Sequence, residues 1–195
     1  ESAMTAPRAR VGICAWADPA LVESGAFYPK KSMTAEARLR FYARRFDTVE
    51  LNSSYYAIPD VRNAARWVER TPPGFVFNVK AYALLTGHHV KAGTLPADVE
   101  ALLPAAPKRT PRGDIHAEAF PPGAVDAAFR LFRASLGPLA ESGKLGYVLF
   151  QFAPWVRFAS RWLDYLAALP ARLPGWTIAV EFRDRSWLPG HAQET

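Results

Sequence analysis

The chain has 195 residues, and its 50% hydrophobic and 13% aromatic content is enough to bury a sizeable core. The formal net charge of +6 and the pI of about 9.7 favour anionic ligands and give nucleic acid weak support as a partner. The single cysteine, Cys14, excludes an intrachain disulfide and a cysteine-cluster metal site, and favours a cytoplasmic location.

The amino-terminal residues 1–10, "ESAMTAPRAR", are predicted to be disordered or derived from a tag. They lack the apolar segment of a signal peptide. No apolar run in the sequence is long enough to span a membrane, so we expect no membrane partner. Residues 11–195 are predicted to form a single domain.

Five short segments rich in β-branched and aromatic residues are predicted to be strands. They are "VGICAW" (11–16), "TVELNS" (48–53), "FVFNVKA" (75–81), "GYVLFQF" (146–152) and "TIAVEFR" (177–183). Helical patterns lie between them. Strands that alternate with helices indicate βα units and a parallel sheet.

Apolar residues recur at helical spacing in four of the intervening segments. These segments are 39–46, 61–68, 125–136 and 162–169. Asp60 is suited to cap the second helix, and "TPPG" is expected to end it.

Much of the positive charge is concentrated near the first of these helices. It is carried by Arg38, Arg40, Arg44 and Arg45. We interpret these arginines as a solvated outer face rather than as a nucleic-acid footprint.

Residues 82–122 interrupt the alternation with a long insertion. A short helical pattern near 94–103 is followed by the proline-rich run "PAAPKRTPRGDIHAEAFPPG". Loops of this length in compact domains are usually functional or partly disordered.

Side chains alternate along a strand, and each later strand has one apolar face. Phe75, Phe77 and Val79 share one side of the third predicted strand, for example. The opposite faces become polar toward the carboxyl ends of the strands. The polar residues there are Glu50, Asn52, Lys80, Gln151, Glu181 and Arg183.

Polar residues gathered at the carboxyl ends of helix-connected strands are typical of a TIM (β/α)8-type barrel, whose active site lies at that mouth. A half-exposed antiparallel sheet would distribute them along each strand. We therefore expect an α/β fold of TIM-barrel type, with "SSYYAIP" (53–59) as a loop lining the mouth. About five of the eight βα units are present, so the barrel is expected to be incomplete in this chain, with truncation at its carboxyl terminus.

Six motifs occur in order along the chain. They are "VGICAW", "FYPKK", "FDTVELNSSYYAIP", "FVFNVKA" followed by "LLTGHH", "LGYVLFQFAPW" and "AVEFRDRSW". Together they resemble the YecE-like family, domain-of-unknown-function family seventy-two, from Val11 to Trp187. The resemblance implies a TIM barrel but no established reaction.

The resemblance also implies a site at the positions that match the motifs. These are Trp16, Glu50, Asn52, Tyr55, Lys80, His88, Gln151, Glu181, Arg183 and Trp187. The chain departs from the family pattern at Cys14-Ala15-Trp16, where a glycine is usual before the tryptophan. Tyr82 stands where a proline is common, and family members continue through three more strands.

Glu50, Lys80 and Glu181 are the catalytic candidates. The two carboxylates could perform general acid–base chemistry or hold a divalent metal, although no metal-ligand set is assigned. Lys80 could form a Schiff base, but anion binding or ion pairing is favoured. The alternative is structural: Lys80 or Arg183 neutralises each carboxylate in a buried ion-pair network.

Six residues are assigned to substrate binding. They are Trp16, Asn52, Tyr55, His88, Gln151 and Arg183. Arg183 suits a carboxylate or phosphate, while Asn52 and Gln151 would orient a ligand. Trp16 and Tyr55 could stack on a sugar or base, with plain packing as the alternative.

His88 has a second interpretation, and Trp187 has no assigned role in binding. His88 is an acid–base or metal-ligand candidate if it lies at a barrel mouth. Trp187 is expected to pack rather than to bind a ligand.

The sequence thus predicts an enzyme that acts on a small polar or anionic substrate by acid–base or metal-assisted chemistry. One alternative is a non-catalytic binding protein for nucleic acid or a protein partner. Another is a metal-dependent barrel that processes nucleic acid. Fold alone does not decide among these functions.

Overall fold

A parallel four-stranded sheet forms the centre of the computed structural model, which describes residues 9–188. Its strands are β1 (Thr48–Leu51), β2 (Val76–Lys80), β3 (Leu145–Gln151) and β4 (Thr177–Glu181). They are neighbours in chain order, and every pair is parallel. The predicted α/β class and four of the five predicted strands are confirmed. The prediction for residues 1–10 lies, except for the last two residues, outside the described range.

Residues 11–16 do not form the predicted strand. They make one parallel bridge to the edge of β1, where Cys14 lies opposite Glu50. Ala15 donates its N–H to the Glu50 carbonyl at 3.0 Å, and Glu50 donates to the Ile13 carbonyl at 3.2 Å. Ala15 has a φ of +77°, in the left-handed region, so the chain turns away after one residue pair.

Seven α-helices occur within residues 9–188. They are α1 (Pro19–Glu23), α2 (Ala35–Tyr42), α3 (Ser53–Tyr56), α4 (Val61–Glu69), α5 (Ala97–Glu100), α6 (Pro122–Glu141) and α7 (Ser160–Arg172). Short 3₁₀ turns are present at Ala83–Thr86, Ala92–Thr94, Ala117–Ala119 and Arg185–Trp187. The four predicted helices correspond to α2, α4, α6 and α7.

The helix starts and stops follow local hydrogen bonding. Asp60 caps α4 as predicted, because its carboxylate accepts from the Arg62 N–H at 2.8 Å. α2 ends at Tyr42, so Arg44 and Arg45 lie beyond it rather than on it. Both arginines are exposed, in agreement with a solvated surface.

The two faces of the sheet differ in how they are covered. The helix-facing side is buried, with at most 2% of each side chain exposed. It comprises Val49, Leu51, Phe77, Val79, Val148 and Phe150. The other side remains open along its length, since Lys80, Tyr147 and Leu149 are half-buried and Glu181 is exposed.

Residues 53–59 do not form a simple loop. Ser53–Tyr56 folds into α3 immediately after β1. The Ser54 hydroxyl lies 2.8 Å from the Leu51 carbonyl and 2.6 Å from the Lys80 carbonyl, which fixes this turn against the end of β2.

The insertion 82–122 has structure of its own. Val90 and Arg109 each form an antiparallel bridge with Ile115. Val90, Val99 and Ile115 are buried and continuous with the main core. α5 is much shorter than the helical pattern near 94–103 predicts.

Candidate functional site

The carboxyl ends of the strands bring several predicted site residues to one edge of the sheet. Lys80, Gln151 and Glu181 are the last residues of β2, β3 and β4. Glu50 is the second-last residue of β1. Strand alternation places these side chains on the open face of the sheet, with Glu50 opposite Asn78, Lys80 opposite Leu149 and Gln151 opposite Glu181 in the register.

Two basic residues, Lys80 and Arg183, act on the rings of Tyr55 and His88. The Lys80 ammonium lies 4.9 Å from the Tyr55 ring centroid. The edge of the His88 ring meets Tyr55, with centroids 5.0 Å apart. The Arg183 charge acts electrostatically on both Tyr55 and His88. The contacts therefore bring Lys80, Tyr55 and His88 together, and the charge of Arg183 acts on the pKa of both rings.

The two cations of this group have no anionic partner among residues 9–188. Neither Lys80 nor Arg183 forms an ion pair with a carboxylate there. The structural ion-pair network considered from the sequence is therefore not present in the described part of the chain.

His88 is buried, with 8% of its surface exposed. Burial first, and then the charges of Lys80 and Arg183, lower the pKa of His88 from 6.5 to about 4. Its Nδ1 lies 2.9 Å from the Thr86 hydroxyl, which fixes the ring. At neutral pH His88 is therefore an uncharged imidazole that can exchange hydrogen bonds but does not add positive charge.

Glu50 lies among weak acids rather than beside a cation. Its Oε1 is 3.6 Å from Cys14 Sγ, and Tyr147 donates its hydroxyl to Oε2 at 3.4 Å. Burial first, and then the Glu50 charge, raises the pKa of both the Cys14 thiol and the Tyr147 phenol. Cys14 is thus a poor nucleophile at neutral pH.

A cavity of about 560 Å³ adjoins Glu50 and is also lined by Cys14, Asn78 and Tyr147. Tyr147 was not among the predicted site residues. The signal that could have identified it is alternation, because Tyr147 shares a strand face with Leu149 and Gln151.

Glu181 is bound by an amide. Gln151 Nε2 donates to both Glu181 oxygens at 2.9 Å across β3 and β4. This bidentate contact fixes the carboxylate. Glu181 has no described contact with Lys80 or Glu50, so the two predicted carboxylates belong to separate groups.

Asn52 lies directly after β1, at the start of α3. Its Oδ1 is buried and has no hydrogen-bond partner within residues 9–188. Its side chain is near enough to Cys14 to act on the pKa of that thiol, in the direction opposite to the larger effect of burial. An unpaired buried acceptor at this position is suited to receive a donor from a ligand.

The two tryptophans among the implied site positions, Trp16 and Trp187, pack against the core. Trp16 contacts Trp67 and Phe77 at centroid distances of 5.8 and 6.2 Å, so the structure does not bring it to the carboxyl edge. Trp187 stacks on Phe182 at 3.9 Å, in agreement with the expected packing role.

Within residues 9–188, no three histidine, cysteine, aspartate or glutamate side chains cluster closely enough to hold a metal ion. Metal-assisted chemistry therefore stays a prediction without an assigned ligand set. No helix in the same range is long and apolar enough to cross a bilayer.

The family model described as "Protein of unknown function DUF72" matches residues 10–195. UPF0759 protein YunF of Bacillus subtilis (strain 168) is 33% identical over 177 residues, which cover 91% of this chain and 51% of that protein. The chain therefore spans about half the length of the curated relative it matches.

Two solved DUF72 family structures share the fold. One, from Enterococcus faecalis V583, matches with a TM-score of 0.66 and 24% identity over 95% of this chain and 55% of its own. The other, from Thermotoga maritima MSB8, matches with a TM-score of 0.61 and 26% identity over 92% of this chain and 57% of its own.

Proposed function

Because the chain belongs to the DUF72 family of unknown function, we propose a function from its own side chains: it binds a small polar anion at the carboxyl edge of the sheet and acts on it by acid–base chemistry. The anion site consists of Lys80, His88 and Arg183. The single observation that carries the proposal is that Lys80 lies over the Tyr55 ring, which His88 meets edge-on, while neither Lys80 nor Arg183 is paired with a carboxylate among residues 9–188.

Electrostatics supports an anionic ligand. Two positive charges near a low-polarity aromatic wall raise the local potential, and a bound anion relieves their mutual repulsion. Arg183 can form a bidentate contact with a carboxylate or phosphate, while Lys80 supplies a point charge. His88 adds one neutral hydrogen bond.

Glu50 is proposed as the acid–base group. It lies opposite Asn78, two residues before Lys80 on the same face of the sheet, and its oxygens contact the weak acids Cys14 and Tyr147 among the described residues. No cation of residues 9–188 forms an ion pair with this carboxylate, so it is available to accept a proton from a ligand. Asn52 would orient the ligand, and Gln151 would hold Glu181 at the rim.

The larger architecture is part of the same proposal. Sequential parallel order, helical connections and the bridge at Cys14 support a TIM-type barrel, of which these strands form one arc. The continuous core supports a single domain over residues 11–195. The single cysteine supports a cytoplasmic location.

Calorimetric titration with inorganic phosphate and with malonate tests the anion site. We expect Lys80→Gln and Arg183→Gln each to weaken binding by about tenfold, because each removes a charge-assisted hydrogen bond. Glu50→Gln should retain or strengthen binding, since it removes a negative charge.

Arg133→Gln is the matched control, because Arg133 is an exposed arginine on α6 that does not approach the site. It removes the same charge from the whole molecule. An equal loss of affinity in Arg133→Gln, or no binding of either anion, would contradict the proposal.

A further inference from the structure

A second cavity, of about 440 Å³, lies between the insertion 82–122, the turn after β3 and α7. No charged residue of the anion site lines it. Its volume falls in the range of small-molecule pockets, roughly 300–1,000 Å³. It is therefore a separate candidate for ligand binding.

One wall of this cavity is a stack of three flat rings. His89 stacks on Trp155 with centroids 4.8 Å apart and an interplanar angle of 18°. His116 lies on His89 at 4.2 Å and 34°. Trp155 nevertheless keeps 52% of its surface exposed, which leaves much of its indole available to a ligand.

Hydrogen bonds hold these rings in place. Trp155 donates its Nε1–H to the Gly87 carbonyl at 3.1 Å. The Ala117 N–H donates to His89 Nδ1 at 3.2 Å. The Glu118 N–H donates to His116 Nδ1 at 3.4 Å. Because His89 Nδ1 accepts, the neutral His89 ring carries its proton on Nε2 and can donate it to a ligand. His116 Nδ1 also lies 3.6 Å from Glu118 Oε2, so that ring faces the Glu118 carboxylate.

Among residues 9–188, two of the charged side chains that line the cavity are in ion pairs, whereas Arg161 is not. Arg172 is paired with Asp126 at 2.6 Å. Glu118 is bonded to Lys108 at 3.3 Å.

Arg161 is exposed and lies 5.8 Å from the Trp162 ring centroid. Within residues 9–188 it has no ion pair at contact distance. An arginine beside imidazole donors is suited to a carboxylate.

The rest of the lining is largely apolar, with Leu85, Phe120 and Val156 among its members. A small inorganic anion would leave these surfaces unfilled, whereas an apolar ring would cover them. We propose that this cavity binds a small planar aromatic molecule carrying one carboxylate. The ring stacks against the Trp155 wall, and the carboxylate accepts hydrogen bonds from Arg161.

Calorimetric titration with three probes tests the proposal on the whole chain. Indole-3-acetate has a flat ring and a carboxylate, indole lacks the carboxylate, and cyclohexylacetate lacks the flat ring. We expect indole-3-acetate to bind at least about tenfold more tightly than either of the others, since each lacks one proposed interaction. Absence of binding, or equal binding of all three, overturns it.

Substitutions then separate the two interactions. Arg161→Gln should weaken indole-3-acetate binding by about tenfold and leave indole binding unchanged. Trp155→Ala should weaken both. Arg157→Gln is the control, because Arg157 is an exposed arginine just before α7, four residues from Arg161, and does not line the cavity. Equal effects of Arg161→Gln and Arg157→Gln contradict the proposal, and since both lie on the surface, neither test depends on a core change.

Discussion

His88 is a histidine whose charge state is set by its burial and by two nearby cations. Its folded pKa of about 4 lies below its ordinary value of 6.5. Between these values the unfolded chain binds more protons than the folded one. The associated stability is fully present above pH 6.5 and is lost as pH falls through about 4.

We therefore expect the free energy of unfolding to decrease between pH 7 and pH 4, by up to about 3 kcal/mol from this residue. His88→Phe should flatten that decrease, because Phe keeps an aromatic ring against Tyr55 and Trp155 but takes up no proton. Urea unfolding at several pH values measures the slope. A slope unchanged by His88→Phe would show that other groups cause it.

Single-residue properties were predictable only where they depend on strand alternation. Alternation placed Lys80, Gln151 and Glu181 at one edge of the sheet. It could not show that Gln151 binds Glu181, because that contact depends on the register between β3 and β4. The family resemblance implied a site role for Trp16, but the turn at Ala15 directs its ring against Trp67 and Phe77.

The turn that follows the 3₁₀ segment Ala83–Thr86 depends on glycine for two reasons. Gly87 has a φ of +74°, which favours glycine. A Cβ there would also lie 2.8 Å from Val156 Cγ2 and 3.1 Å from Trp162 Cη2. Close packing and backbone conformation thus act together at the wall of the second cavity.

Gly87→Ala and Gly74→Ala separate these two causes. Gly74 has a similar φ of +79°, but nothing lies within 4 Å of the position its Cβ would take. We expect Gly74→Ala to lower the free energy of unfolding by about 1 kcal/mol, because of backbone strain. Gly87→Ala should lower it by about 1–3 kcal/mol more, because the added Cβ overpacks the site. Thermal unfolding compares them, and equal losses would exclude the packing contribution.

Secondary structure was predictable where an element is long or strongly periodic. The four helices and four strands were recognisable from periodicity, with shifted ends. α3 was not, because its first turn depends on Ser54 contacting the carbonyl of Lys80, 26 residues away in sequence. The second cavity was not, since its walls join residues between Leu84 and Arg172.

Within residues 9–188, the helix-facing side of the sheet is more completely buried near β1 than near β4. Phe150 and Phe182 lie on the helix-facing side of neighbouring segments. Phe150 is fully buried, whereas 39% of Phe182 is exposed. The helical layer therefore covers the centre of the sheet and thins at its last strand.

This difference in burial predicts that the same substitution lowers the free energy of unfolding by unequal amounts. Phe150→Ala should cost about 3–5 kcal/mol, as expected for a buried phenylalanine. Phe182→Ala should cost less, about 1–2 kcal/mol, since part of the ring already meets water. Urea unfolding measures both. Equal losses would mean that Phe182 is covered in solution.

Trp155 belongs to the surroundings of both proposed sites. Its ring lies 5.7 Å from His88 and also forms a wall of the second cavity. If an aromatic acid shifts this indole against His88, it changes the affinity of the anion site by some factor. Thermodynamic reciprocity then requires an anion to change the affinity for the aromatic acid by that same factor. A shared tryptophan is thus the residue through which a ligand in one site would change the affinity of the other.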